Sequence, residues 1–133
     1  YVQYIPNVNH SLNGRYLNEN LFSFYTRIIN NHSFPNIVWD IKNDSLISKV
    51  VSNQDYTVSI WKANNQETRD FRLWEKGKLW NQMPLKRNSQ DEYKINLKSD
   101  KDGYTATMLE FIFNPDSNYP LILTTGPYVM PNK

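Results

Sequence analysis

The sequence lacks cysteine altogether, and it has only four glycines among its 133 residues. The absence of cysteine excludes disulfides, thiolate catalysis and cysteine-ligated zinc sites. A formal net charge of +2 is too small to favour binding to nucleic acid or to an anionic membrane. No apolar run approaches the roughly 20 residues that a membrane-spanning helix needs, so we expect no membrane insertion.

Common catalytic and metal-binding motifs are also missing. There is no G-x-S-x-G, no glycine-rich phosphate loop and no H-E-x-x-H. The two histidines, His10 and His32, fall at opposite ends of a predicted helix, and we therefore expect no metal and no cofactor. His10 lies in a loop between a predicted strand and that helix, where α/β-hydrolases keep their general base. A single loop histidine is also common on polar surfaces, so both interpretations stay open.

What the chain does contain is enough apolar material for a folded core, with 39% hydrophobic and 14% aromatic residues. Residues 1–33 are predicted to form a strand at Tyr1–Ile5, a polar loop at Asn7–Gly14 and an amphipathic helix. The apolar residues of that helix recur at helical spacing: Leu17, Leu21, Phe24, Tyr25 and Ile28. The period changes near Ser33–Pro35, where we place a domain boundary.

Residues 34–133 are predicted to be mainly β, because short extended runs alternate with turn residues. Tyr104–Phe113 is the longest run, and its apolar residues on both faces predict a central strand. The other predicted strands outside the central hairpin are Asn36–Asp40, Leu46–Val51, Glu92–Leu97, Leu121–Thr125 and Tyr128–Met130. This pattern is typical of a β-sandwich of the immunoglobulin or fibronectin III kind.

A hairpin is predicted at the centre of the chain, with strands at Thr57–Ala63 and Arg69–Trp74. Its Trp61 is predicted to lie in the core of the β-sandwich. The segment Glu75–Asp91 is predicted to be irregular. The loop and the turn after the hairpin carry several charged residues that form a candidate binding site: Arg69, Asp70, Arg72, Lys76 and Lys78. These residues either recognise a partner or only hold the hairpin together through local ion pairs.

Two further patterns concern carbohydrate. Trp61, Trp74 and Trp80 lie among basic residues, an arrangement that can bind sugars or single strands but also arises when lysines cover buried tryptophans. Three Asn-x-Ser sequons make Asn9, Asn31 and Asn43 candidate glycosylation sites. Asparagine is so abundant here that these sequons are weak evidence for secretion.

The chain resembles the C-terminal part of the PhoPQ-activated pathogenicity-related family, and its asparagine-rich sequence is most similar to the amoebal branch. The segments that carry the resemblance run from one end of the chain to the other: Tyr4–Leu12, Phe24-Tyr25, Pro35, Trp39, Val58–Asn64, Arg69–Arg72, Gly103–Ala106, Glu110–Phe113 and Leu123–Thr125. The pair Ile60–Asn64 and Arg69–Arg72 is the most specific of them.

The resemblance implies a secreted protein with an α/β-hydrolase-like domain followed by a β-sandwich. Residues 1–33 would be the last strand, histidine loop and helix of the hydrolase-like domain, with His10 as its catalytic histidine. The expected partners are a cell-surface receptor and the rest of the parent chain. We therefore expect a secreted signal that represses proliferation and repels cells. A histidine-bearing part of a serine hydrolase, inactive alone, and a carbohydrate-binding sandwich are the alternatives.

Overall fold

A computed structural model describes residues 1–12, 16–99 and 102–131. Within these residues the chain forms two helices and eight strands. In chain order they are α1 Leu17–Ile29, β1 Asn36–Lys42, β2 Ser45–Val51, β3 Tyr56–Asn65, α2 Leu73–Lys76, β4 Trp80–Leu85, β5 Glu92–Asn96, β6 Tyr104–Phe113, β7 Leu121–Thr124 and β8 Tyr128–Met130.

The strands form two antiparallel sheets, so the prediction of a mainly β protein is confirmed. The three-stranded sheet has the order β1-β2-β5, and the five-stranded sheet has the order β4-β3-β6-β7. Strand β8 pairs with the same edge of β6 as β7 does, against Thr105–Thr107, while β7 pairs with Glu110–Phe113. The tight β1–β2 turn contains Asn43 and Asp44, both with positive φ, as two-residue hairpins require.

The hydrophobic core lies between the two sheets. The face of the five-stranded sheet that meets the other sheet, called the inner face below, contributes Val58, Ile60, Leu109, Phe111 and Phe113. Strand β6 is the central strand that the sequence predicts, flanked by β3 on one side and by β7 and β8 on the other. Leu109, Phe111 and Phe113 are fully shielded from solvent, as the side chains of a close-packed core are.

The opposite side of the five-stranded sheet, the outer face, carries Trp61, Ala106, Met108 and Glu110. Trp61 is only 8% exposed, so it is buried as predicted. Its predicted place in the core of the sandwich is wrong, because it follows Ile60 in β3 and therefore points away from the core between the sheets. Part of the outer face is covered by the N-terminal segment 4–8 and by the loop 68–74 rather than by a further sheet. Helix α1 packs against the edge strand β7.

The predicted strand at Tyr1–Ile5 is wrong, because this segment makes only isolated hydrogen bonds. The Thr124 amide donates to the Val2 carbonyl at 3.0 Å, and the Tyr4 amide donates to Thr124 Oγ1 at 2.9 Å. A strand needs a continuous ladder, which two bonds to one residue do not provide. The segment nevertheless runs beside β7 and is tied to it.

Helix α1 begins and ends where the periodicity predicts, but its buried residues are Asn20 and Ser23. The Asn20 amide holds β7: its Oδ1 accepts from the Ile122 amide at 2.7 Å, and its Nδ2 donates to the Ile122 carbonyl at 3.1 Å. Leu21 and Tyr25 are each 60% exposed and Ile28 is 59% exposed, so much of the apolar stripe faces away from the sheet. Tyr16 occupies the N-cap position of the helix.

The predicted partner strand of the central hairpin is also wrong. Strand β3 pairs with β4, Trp80–Leu85, a segment that the sequence predicts to be irregular. Pro84 is tolerated there because β4 is an edge strand. Residues 69–72 form a loop, in which the Asn65 side chain donates to the Asp70 carbonyl at 2.7 Å and accepts from the Glu67 amide at 3.0 Å. These bonds turn the chain away from the sheet before α2.

Candidate functional site

A cavity of about 730 Å³ lies on the outer face of the five-stranded sheet. Ala106 and Met108 of β6 and Val129 of β8 line its base. One wall is the N-terminal segment 4–8, the other is the loop 68–74, and Trp80 and Pro127 complete the lining. Most of these side chains are apolar or aromatic, which is usual for sites that bind organic ligands.

The N-terminal wall is fixed by Asn7, whose backbone has a φ of 56°. Its Nδ2 donates to the Trp80 carbonyl at 2.8 Å, and its Oδ1 accepts from the Trp80 amide at 3.2 Å. The side-chain amide thus imitates a neighbouring strand and satisfies both backbone groups of Trp80. Asparagine suits this position because it tolerates left-handed backbone and carries both a donor and an acceptor.

The loop wall is held by an ion pair between Asp70 and Arg72. Arg72 Nε donates to Asp70 Oδ1 at 2.9 Å and Nη2 donates to Oδ2 at 2.6 Å, a two-pronged geometry typical of arginine and carboxylate. These hydrogen bonds from Arg72 lower the pKa of Asp70 to about 2. Asp70 therefore remains charged at physiological pH. Arg69 reaches across to β8, with Nη2 at 3.4 Å from the Val129 carbonyl.

A second ion pair connects the same loop to α2. Lys76 Nζ lies 2.9 Å from Glu67 Oε2, and this hydrogen bond lowers the pKa of Glu67 and raises that of Lys76. The Glu67 side chain is 76% exposed, so solvent screens the pair. Lys78, which follows α2, is exposed. The predicted binding residues therefore lie on one loop and the helix after it, and two of them are already engaged in the Asp70–Arg72 pair.

His10 lies against this loop. Its ring stacks on Trp74 with 4.8 Å between ring centroids and 26° between planes, and the Arg72 guanidinium carbon is 5.5 Å from the Trp74 centroid. The structure thus brings the predicted catalytic histidine and Arg72, one of the predicted binding residues, onto the same ring of Trp74. Among the described residues, no carboxylate or hydroxyl is hydrogen-bonded to the His10 imidazole.

The other sequence-predicted sites are scattered. His32 lies at the far end of α1, and the described part of the chain holds no cluster of three or more metal-ligating side chains. Asn9, Asn31 and Asn43 are all exposed. Trp74 is 48% exposed, whereas Trp61 is buried and Trp80 is half-buried, so the three tryptophans do not form an exposed sugar-binding stripe.

Sequence reasoning missed Asn7 and Met108 as residues of this site, and it considered Trp80 only as one of three possible sugar-binding tryptophans. Met108 looks like an ordinary core residue, and only the arrangement of the elements shows that it borders a cavity. Asn7 had a sequence signal, because an asparagine directly after Pro6 is typical of a turn with positive φ. No helix among the described residues is long and apolar enough to cross a membrane.

The fold and this site define a two-sheet β protein with a histidine beside a largely apolar cavity. A family model, that of the PhoPQ-activated pathogenicity-related protein, matches residues 1–72, and the chain belongs to this family. The matched part includes His10, α1, β1–β3 and the Asp70–Arg72 pair. Searches of curated proteins and of solved structures found no match.

Proposed function

We propose that this chain provides the histidine base and part of the substrate pocket of a hydrolase-type site in a longer, secreted protein. The observation that carries the proposal is the stack of His10 on Trp74 beside the cavity of about 730 Å³. A part of the protein outside this sequence would supply the nucleophile, the acid that orients the imidazole and the oxyanion donors.

The chemistry follows from the position of His10. An imidazole that is exposed and held by stacking can accept a proton from a nucleophilic hydroxyl placed beside it and later return it to the leaving group. The adjacent cavity would hold the apolar part of the substrate. Without nucleophile and oxyanion donors no acyl intermediate forms, so we expect the isolated chain to have no hydrolytic turnover.

The exposed side of α1 supports a contact with the rest of the parent chain. Leu21, Tyr25 and Ile28 form an apolar surface that is unusual on a protein that works alone. In this proposal residues 1–33 complete a hydrolase-like domain, and residues 34–133 form an appended immunoglobulin- or fibronectin III-like sandwich. The strand orders β1-β2-β5 and β4-β3-β6-β7 support such a sandwich.

The two histidines provide a matched test in the complete protein. We expect His10→Ala to lower ester or peptide hydrolysis by about two orders of magnitude or more, as loss of a general base does. His32→Ala removes an exposed histidine at the other end of α1 and should leave the rate unchanged. Equal rates for wild type and His10→Ala would refute the proposal.

A second candidate function is signalling. The protein would be a secreted, glycosylated repressor of proliferation that also repels cells, similar to the amoebal autocrine proliferation repressor, and it would contact a cell-surface receptor. The segment 64–78, which includes α2 and is called the loop here, supports this candidate. It presents four residues at the surface: Arg69, Trp74, Lys76 and Lys78. Tryptophan and arginine often dominate interface energies.

Charge reversal at Lys78 tests the signalling candidate. Lys78→Glu alters the loop surface, whereas Lys76→Glu also breaks the pair with Glu67. If the loop contacts a receptor, Lys78→Glu should weaken binding to responsive cells while the melting temperature stays constant. Unchanged cell binding by Lys78→Glu and Lys76→Glu would exclude the loop as the contact.

A further inference from the structure

A second concave site lies at the opposite end of α1 from His10. It has a volume of about 770 Å³ and is formed by the end of α1, the residues 31–33 after it, Gln54 before β3 and the turn between β6 and β7. In contrast to the cavity beside His10, this depression is lined almost entirely by amide and hydroxyl side chains. A polar surface of this kind suits a polar ligand.

Arg27 is the only charged side chain among the described lining residues, apart from any charge on His32. It makes no ion pair with a described residue. Its Nη1 donates to the Ser33 carbonyl at 2.9 Å and its Nη2 donates to Gln54 Oε1 at 2.7 Å, and both acceptors are neutral. Burial lowers the pKa of Arg27. The site therefore holds a partly desolvated cation without a described counter-ion, an arrangement that favours an anionic ligand.

The base of the depression is preorganised by hydrogen bonds. Gln54 Oε1 accepts from Arg27 and also from Asn114 Nδ2 at 3.1 Å, and the backbone N–H of Gln54 donates to Ser52 Oγ at 3.0 Å. Asp55, the nearest acidic neighbour of Gln54 in sequence, is engaged by Arg87 at 3.0 Å and does not line the site. The guanidinium is thus fixed in place before any ligand arrives, which lowers the entropic cost of binding.

An aromatic platform stands at the rim. Tyr119 stacks on Phe22 with 4.8 Å between centroids, and the two rings are 50% and 52% exposed. Rings of this exposure offer an apolar surface with, for tyrosine, a polar edge. Asn118 lies beside Tyr119 in the lining and adds an exposed amide that can bond to hydroxyl groups.

From the lone guanidinium, the amide-rich lining and the exposed ring pair, we propose that this depression binds an acidic saccharide. The ligand's carboxylate pairs with Arg27, its hydroxyl groups bond to the asparagine side chains, and its ring lies on Tyr119. This site is separate from the cavity beside His10 and does not depend on the proposed hydrolase function.

The test is a titration of the chain with glucuronate, followed by NMR of the backbone amides. The protein is prepared without N-glycans, because Asn31 lies in the lining of the depression. Glucose supplies the ring without the charge, and acetate supplies the charge without the ring. We expect saturable shifts at residues 27 and 117–119 with glucuronate, and binding of glucose and of acetate that is weaker by about tenfold or more.

Two charge variants complete the test. Asn118→Asp places a carboxylate in the lining and should weaken glucuronate binding by about tenfold or more through like-charge repulsion. Asn96→Asp adds the same charge on β5, at the opposite end of the three-stranded sheet, and keeps the side-chain oxygen that accepts from the Lys98 amide. It should bind as wild type does.

Three results would overturn the proposal. The first is the absence of saturable shifts. The second is equal affinity of Asn118→Asp and wild-type protein for glucuronate, with the melting temperature of the variant unchanged. The third is equal affinity for glucuronate and either glucose or acetate, which would remove the need for a ligand with both a ring and a charge.

Discussion

The two faces of the five-stranded sheet differ in what covers them. The inner face packs on a second sheet, and Leu109, Phe111 and Phe113 are completely buried there. The outer face is covered by an N-terminal segment without regular structure and by a loop, and it retains a cavity of about 730 Å³. One strand, β6, belongs to both environments. The comparison indicates that the inner face provides stability and that the outer face is available for a ligand.

The largest expected effect is the removal of an inner-face ring. Phe111→Ala should lower the free energy of unfolding by about 3–5 kcal/mol, because the close-packed core cannot fill the space. Met108→Ala on the outer face should cost about 2 kcal/mol, since Met108 already borders open space. Urea unfolding of both variants makes the comparison. Equal losses would show that the two faces are packed alike.

Neighbouring residues of β6 offer a second comparison, in which side chains are enlarged instead. Thr105→Leu should cost about 1–3 kcal/mol by overpacking, and it also removes the hydrogen bond from Thr105 Oγ1 to Asn64 Oδ1 at 2.7 Å. Ala106→Leu should leave the melting temperature within a few degrees of wild type, because Ala106 lines the cavity. The comparison fails if Ala106→Leu is the more destabilising of the two.

A polar network at the edge of the core should have a smaller effect. The Tyr56 hydroxyl donates to Asp91 Oδ1 at 2.7 Å and lies 2.8 Å from the Tyr93 hydroxyl, and Arg87 pairs with Asp91. Tyr56→Phe should cost about 1–2 kcal/mol, measured by urea unfolding at neutral pH. A loss below the error of the measurement would mean that water replaces these bonds without cost.

The same network predicts a pH dependence. Two hydrogen bonds lower the pKa of Asp91 in the folded state, the larger effect coming from Arg87 and the smaller from Tyr56. The ionised Asp91 therefore stabilises the folded state fully at a pH above the ordinary carboxyl pKa of about 4. This stabilisation is lost as the pH falls through the lowered pKa of the folded state. Asn tolerates the positive φ of residue 91, so Asp91→Asn is a clean substitution. The stability difference between wild type and Asp91→Asn should narrow on acidification, and a constant difference would contradict this assignment.

Elements that are determined by the residue pattern of a single segment were predictable from the sequence. The sequence predicts Tyr104–Phe113 as the central strand because apolar residues occupy both of its faces. Helix α1 was located by its period. Its orientation was not, because Asn20 is buried through two bonds to Ile122, and a count of apolar residues cannot register a buried amide.

Features that depend on distant parts of the chain were not predictable. Strand β4 contains Asn81, Gln82 and Pro84, and it forms because an edge position beside β3 is available. The alternation in Arg69–Trp74 resembles a strand, yet the side-chain bonds of Asn65 turn the chain into a loop first. His10 and Arg72 were each singled out as candidates. That both pack on Trp74 could not be predicted, because only the folded chain brings these distant residues together.

The most direct test of the two-face account is the hydrolytic rate of the complete protein with the cavity filled. Ala106→Leu should lower kcat/KM by about tenfold or more at an unchanged melting temperature, because the larger side chain occupies part of the cavity that Trp74, the stacking partner of His10, also lines. The matched change Val50→Leu enlarges a buried side chain of the three-stranded sheet, which does not line the cavity, and should spare the rate of the protein that remains folded. A wild-type kcat/KM for Ala106→Leu would show that the outer-face cavity is not the site of function.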